Sequence, residues 1–197
     1  GLNETGELYK HATSSGKVAA QLSLAAVAGR CSIHEVNAAY SGASGMSEIS
    51  AHLVVLAKSA NRDISAINEM YQNSQGLGTV AANLVTASVI GGSSIEHSNA
   101  MYGQTSPWSS EAAAIMVTAA SASNKSMEEV NALYNQGHVS GFPGALLVLG
   151  SVLSDTPMAK MSEMYAKADT MSSTYGAFLA TFAAVHGKSI DQVNALW

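Results

Sequence analysis

A chain of 197 residues is long enough for one domain with a sizeable core. Apolar residues make up 47% and charged residues only 12%, a balance that excludes a disordered tail. The formal net charge is −5 and no Lys/Arg-rich run occurs, so nucleic acid is disfavoured as a partner and a polybasic membrane patch is absent.

Cys31 is the one cysteine, so no internal disulfide forms, and it reads as a small buried hydrophobe. No apolar run reaches the roughly 18 residues that cross a bilayer, so no membrane span is expected. The chain starts at Gly1 without a Met, as a processed organellar or secreted form or a fragment would. That leaves the compartment open.

In chain order, the first element is a short segment, residues 1–9, that carries Leu2 and Leu8 and closes on Tyr9. Fuller versions of it recur. Ser32 to Tyr40 is followed by Asp63 to Tyr71, Ser94 to Tyr102, Ser126 to Tyr134, Pro157 to Tyr165 and Ser189 to Trp197. The closing aromatics Tyr9, Tyr40, Tyr71, Tyr102, Tyr134, Tyr165 and Trp197 are spaced by 31, 31, 31, 32, 31 and 32 residues. A fixed period in this range marks a repeat architecture.

Each recurring segment predicts a short helix. Ser32, Asp63, Ser94, Ser126, Thr156 and Ser189 stand at its N-cap, and Glu35, Glu129 and Gln192 complete capping boxes. Pro157 falls at a first helical position, where a missing N–H costs nothing. Ile33, Val36 and Tyr40 form an i, i+3, i+7 apolar stripe.

A polar, Gly-rich loop follows, such as Ser41 to Gly45. A longer helix comes next, over Ser47 to Ala60 in the second repeat. Met46, Leu77, Trp108 and Met171 precede the caps of such helices and predict a hydrophobic staple. Pro107 and Pro143 lie at or beside the starts of long helices and break no interior.

Within the long helix one register reads Leu22, Leu53, Leu84, Met116, Leu147, Leu179. Another reads Ala20, Ala51, Ala82, Ala114, Ala145, Ala177, preceded by the small residues Ala19, Ser50, Ala81, Ala113, Gly144 and Gly176. Large knobs beside small strips let neighbouring helices interdigitate, so the Ala register is expected to be a close repeat-to-repeat contact.

The expected fold is all-α: one α-solenoid of about six helix pairs in a single superhelical array. One domain spans 1–197, with a leading half-repeat 1–9 and repeats 10–40, 41–71, 72–102, 103–134, 135–165 and 166–197.

Asn37, Asn68, Asn99, Asn131 and Asn194 share one register of the short helix, with Ser162 in the fifth copy. Asn is a poor mid-helix residue because its side chain competes for backbone groups. Its recurrence predicts a structural ladder, each side chain bonded to the backbone of the adjacent connection; a ligand groove is the alternative. The aromatics are expected to pack between repeats with hydroxyls at the rim. Met70, Met101 and Met164, in register with Leu133 and Leu196, read as core filling, or as an adaptable partner surface.

The histidines His11, His34, His52, His97, His138 and His186 form no His-x-x-x-His pair, and no metal or other cofactor is expected. The register of Gln21, His52, Asn83, Ile115, Leu146 and Phe178 turns from polar to apolar along the chain. That marks either a shift in burial or a surface with two partners.

No Gly-x-Ser-x-Gly occurs and no acid–base pair can be placed, so an enzyme is not expected. The short-helix, loop, long-helix unit resembles TPR-like helix-hairpin solenoids in outline. It is also similar in plan to TAL-effector-like DNA-binding repeats, and that resemblance implies that Ser41 to Gly45 would be a base-reading loop.

Three functions remain. The first is a non-catalytic protein–protein scaffold, whether an accessory, linker or self-assembling subunit of a larger complex that associates through uncapped ends. The others are a carrier of a flat apolar ligand or pigment, and a nucleic-acid-reading array.

Overall fold

A computed structural model describes residues 2–107 and 109–196, with side chains from Thr5 onward. Trp108 and Trp197, and the side chain of Leu2, lie outside the described residues. The described chain is all-helical. In order it runs α1 (Leu2–Lys10), α2 (Gly16–Gly29), α3 (Ile33–Ser41), α4 (Glu48–Ser59), α5 (Ile64–Gln72), α6 (Thr79–Gly91), α7 (Ile95–Tyr102), α8 (Ser110–Ser123), α9 (Met127–Gln136), α10 (Gly141–Ser154), α11 (Met158–Ala166), α12 (Ser173–Val185) and α13 (Ile190–Asn194). Odd-numbered helices are short and even-numbered ones long.

Local chemistry sets the boundaries. Ser32–Glu35, Ser126–Glu129 and Ser189–Gln192 form reciprocal capping boxes, and Asp63 and Ser94 cap α5 and α7 through their side chains. The Ser32 hydroxyl holds the Glu35 carboxyl below the usual carboxylate range, and the Ser126 backbone N–H does so for Glu129. At α11 the boundary differs from the expectation by one residue. Pro157 is itself the N-cap, and the helix starts at Met158 with no side-chain cap.

The loop before each long helix tracks the spacing of the closing aromatics. Where the spacing is 31, the seventh residue past the aromatic has positive φ: Gly16 (60°), Ser47 (50°), Gly78 (56°) and Gly141 (68°). Where it is 32, that position is Ser109 (φ −80°) or Ser172 (φ −94°), each in extended backbone with its side chain capping the helix. One added residue relieves a turn that otherwise needs a conformation suited to glycine.

Packing follows the two helix classes. Each long helix contacts the next long helix, and the short helices α3, α5, α7, α9 and α11 each rest against the long helices on both sides. Leu22, Leu53, Leu84, Met116 and Leu147 are fully buried and Leu179 nearly so; Val36, Ile67, Val130, Met161 and Val193 face inward from the short helices. Ala51, Ala82, Ala114, Ala145 and Ala177 are all 0% exposed, whereas Ala20 is exposed because no long helix lies on that side of α2.

One contact is looser. Ala25, Ala87, Ala119 and Gly150 share a register that faces the following long helix, but α4 carries Leu56 there. At Gly150 a Cβ would lie 2.8 Å from Thr181 Oγ1, so the small residue is what admits close approach. With Leu56 in the way, α4 and α6 approach less closely than the other long-helix pairs. The buried side chains form two clusters that divide within α4: Ala51 and Val54 pack with Val18, Leu22, Ala25, Ala26 and Val36, whereas Leu53, Leu56 and Ala57 join the larger cluster that continues through α6.

Two expectations are corrected. Met46, Leu77 and Met171 staple nothing, being 83%, 89% and 105% exposed. Cys31 is half-buried, at a turn outside the close-packed helix interiors.

Ser47 has φ 50° and ψ −110°, close to the φ 56° and ψ −124° of Gly78. Ser47→Gly removes backbone strain that outweighs the added freedom of the unfolded chain. It should stabilise the fold by about 1 kcal/mol in urea denaturation. A destabilised S47G would refute the strained loop.

Candidate functional site

The recurring asparagines build one feature over and over. Asn37 Nδ2 donates to His11 O at 2.9 Å while its Oδ1 accepts from Thr13 N at 3.2 Å. Asn68 spans Gly42 O and Ser44 N at 2.8 and 2.7 Å, and Asn99 spans Asn73 O and Gln75 N at 2.9 and 3.0 Å. Asn131 spans Gln104 O and Ser106 N, and Asn194 spans Lys167 O and Asp169 N. Each asparagine is half-buried on a short helix and clamps the loop that leads into the long helix beside it. Only a primary amide offers a donor and an acceptor at this reach.

The fifth copy lacks the clamp. Ser162 Oγ is buried with no hydrogen-bond partner. The loop there takes another path, with Gly137 extended (φ −72°, ψ 146°), and Gly141 N donates to the Tyr134 hydroxyl at 2.6 Å. Tyr9 accepts from Gly16 N in the same way, at 3.1 Å. At these two positions the hydroxyl ties down the start of a long helix. Tyr40, Tyr71, Tyr102, Tyr134 and Tyr165 are half-buried against the core, and Tyr9 is 42% exposed.

The clamps place a row of apolar side chains. Met46 lies two residues beyond the clamped N–H of Ser44, Leu77 two beyond Gln75, and Met171 two beyond Asp169. All three project into solvent from equivalent loops. The sequence puts Trp108 at the same step beyond Ser106, outside the described residues. The histidine-containing register lies elsewhere, in the contacts between long helices. Asn83, Ile115 and Leu146 are buried there, His52 half-buried, and Phe178 47% exposed.

A second ladder was not anticipated. Thr181 Oγ1 donates to Leu146 O at 2.9 Å, joining α12 to α10, while the Thr118 hydroxyl lies between Ala114 O of its own helix at 3.1 Å and Asn83 O of α6 at 3.3 Å. Thr86, in the same register, lies 3.0 Å from His52 Nε2. Because the Thr86 hydroxyl donates to Ala82 O at 2.8 Å, the imidazole Nε2 carries the hydrogen and donates to Thr86. Burial pushes the His52 pKa below its ordinary value. One contact earlier the register holds Val55, and the buried Gln21 Oε1 has no partner.

Among the described residues no group of three or more His, Cys, Asp or Glu is placed to hold a metal. Open crevices of about 380 and 420 Å³ lie beside α9. Lys125, Glu129 and Asp155 line the first, where the Glu129 carboxylate is already bonded to Ser126. No single described helix is long and apolar enough to cross a membrane. Neither a protein-family model nor a curated protein matches the chain.

Asn99→Leu removes the two hydrogen bonds to the exposed groups Asn73 O and Gln75 N, each worth about 0.5–1.5 kcal/mol net, and should cost about 1–3 kcal/mol in chemical denaturation. An unchanged midpoint would mean that the clamp does not hold the loop.

His52 is neutral in the fold and takes a proton more readily when unfolded. Its contribution is therefore full above the unfolded pKa of 6.5 and is lost as pH falls toward the lower folded pKa. Comparing melting temperature against pH for wild type and His52→Gln should show a shallower acid-side fall in the variant; parallel curves would rule His52 out.

Proposed function

We propose that the chain is a non-catalytic repeat scaffold, a solenoid of six helix pairs in a single superhelical array, that holds a partner protein along the edge formed by its clamped loops. The observation that carries this reading is the row Met46, Leu77 and Met171: large apolar side chains, each more than four-fifths exposed, each on an equivalent loop. Scattered exposed apolar residues need no explanation, but a row in register does. Two amide hydrogen bonds hold the backbone just before each of the three, so little freedom is left to lose when a partner docks. Met and Leu offer adaptable apolar contact, and the polar Ser and Asn residues of the same loops supply a hydrogen-bonding rim.

Recurrence of one contact set supports this architecture. The same registers meet at successive long helices, and the same amide clamp ties successive loops. A repeat stack of this kind offers an extended edge rather than a single pocket.

The test is quantitative affinity capture from the source organism with the wild-type chain and a Met46→Ser, Leu77→Ser, Met171→Ser triple variant. The three side chains make no core contact, so melting temperature should be unchanged while a defined set of captured proteins is lost. Equal capture by both forms would remove the row from the binding surface and this reading with it.

A further inference from the structure

We propose that the partner of the loop edge presents an extended, uncharged segment of polypeptide, recognised through apolar contact and neutral hydrogen bonds. The inference rests on the loop-edge reading above and names the chemistry of its partner.

Charge is divided unequally between the two edges of the stack. The loops before α2, α4, α6, α8 and α10 hold no Asp, Glu, Lys or Arg, and only the one before α12 has any, Lys167 and Asp169. On the opposite edge five of the six turns from a long helix into a short one are charged, through Arg30, Arg62, Asp63, Lys125, Asp155 and Lys188. Apart from Pro107, every described residue of both sets is half-buried or exposed, so burial does not explain the difference. Surface loops ordinarily carry charge, because a charged side chain keeps its hydration there. A charge that loses water without gaining a partner is costly, and the centres of interfaces are depleted of charge for that reason. The neutral edge therefore has the composition of a surface that gives up water on docking.

The neutral loops also present the groups that an extended chain needs. Such a chain has unpaired N–H and C=O groups along its length, whereas a helix pairs its own. Gln72, Gln75, Asn135 and Gln136 are exposed on or beside these loops, and each amide carries both donors and an acceptor. At Gly42 and Gly103 a Cβ would meet only carbonyl oxygens of the preceding short helix, at 3.6 Å or more, so the loop backbone lies open to a second chain. Met46 and Leu77 stand among these groups as apolar anchors.

A partner with Lys, Arg, Asp or Glu at this contact would bury its charge against loops that hold no counter-ion. The carboxylates of Glu48, Glu69 and Glu111 stand outside the loops, in the first turns of α4 and α8 and the last turn of α5, and Glu48 lies 3.7 Å from Lys17. They form a charged rim around a neutral centre.

Display of random peptides of about twelve residues tests this, since such a peptide spans about 40 Å when extended, enough for several helix pairs at about 10 Å each. The library is panned on the full chain, with the Met46→Ser, Leu77→Ser, Met171→Ser triple variant as counter-screen. Peptides that bind only the wild type should carry no charge at the positions selection fixes. Their affinity, read by fluorescence anisotropy, should change by less than about twofold between roughly 0.05 and 0.5 M salt. Gln75→Lys and Gln75→Glu should each weaken binding by about threefold or more at unchanged melting temperature, because either charge is desolvated without a partner. Difference circular dichroism should show no helix gained on binding.

Selected peptides rich in one sign of charge overturn the inference, as does a steep loss of affinity with salt. Opposite effects of the two Gln75 variants, one tighter and one weaker, identify a charged partner and do the same. A peptide that turns helical on binding, or a library that yields no binder, overturns the extended segment. Peptides held equally by wild type and the triple variant sink the loop-edge reading itself, whereas each of the other results leaves it standing.

Discussion

The amide clamp is the interaction on which the remaining architecture depends. A loop rich in Gly and Ser has no conformation of its own, and the turn into a long helix is set only when something outside the loop holds it. The asparagine does so with one donor and one acceptor, reaching a carbonyl and an N–H two residues apart, as in Asn68 with Gly42 and Ser44. Net, each bond contributes about 1 kcal/mol, so the two together hold the loop by about 2 kcal/mol. The clamp also joins residues 24 to 27 positions apart, so it fixes how one helix pair sits on the next as well as the loop itself. Ser162 shows the dependence in reverse. Without the amide the loop after α9 takes an extended path at Gly137, and the Tyr134 hydroxyl holds the start of α10 as Tyr9 holds that of α2 beside an intact clamp.

The second constraint is side-chain volume between long helices. Ala25, Ala87, Ala119 and Gly150 let backbones approach until threonine hydroxyls reach carbonyls of the preceding helix, as Thr118 and Thr181 do. Leu56 breaks that series, and the consequences cluster at one place. The α4–α6 contact is the loose one, and the hydrogen bond across it joins the His52 imidazole to Thr86. Close packing makes such a seam the place where sub-global opening costs least.

Much of this was legible in the sequence, for a physical reason in each case. Asparagine in mid-helix is unfavourable, so its repetition at Asn37, Asn68, Asn99, Asn131 and Asn194 signalled a hydrogen-bonding duty. The structure places all five on loop backbone. Capping boxes are local, so Ser32–Glu35, Ser126–Glu129 and Ser189–Gln192 could be read directly.

What stayed hidden depended on backbone angles or on isosteric residues. Thr86, Thr118 and Thr181 share their register with Leu24, Val55 and Leu149, so the pattern looked apolar and the hydroxyls went unnoticed. Positive φ was signalled by Gly16, Gly78 and Gly141 but masked by Ser47, which adopts the same turn without being glycine. That turn misled the staple reading. A large apolar residue before a helix is expected to fold back onto it, yet the left-handed step at Ser47 and Gly78 leaves Met46 and Leu77 in water.

An apolar side chain in solvent is retained at a small but definite cost, and three in one register multiply it. Nothing in the fold needs them there: the core closes without Met46, Leu77 and Met171, and serine stands at the equivalent step before α2. The clamp beneath each is most useful if the loop must be rigid before a partner arrives, because ordering a flexible Gly-rich segment on binding would consume affinity. Rigid apolar points set apart by the packing distance of helix pairs, about 10 Å for adjacent ones, suit an extended partner more than a compact ligand. The same physics that makes the repeats stack thus leaves a second, independent set of apolar residues on their edge, and under the proposed function that set contacts the partner.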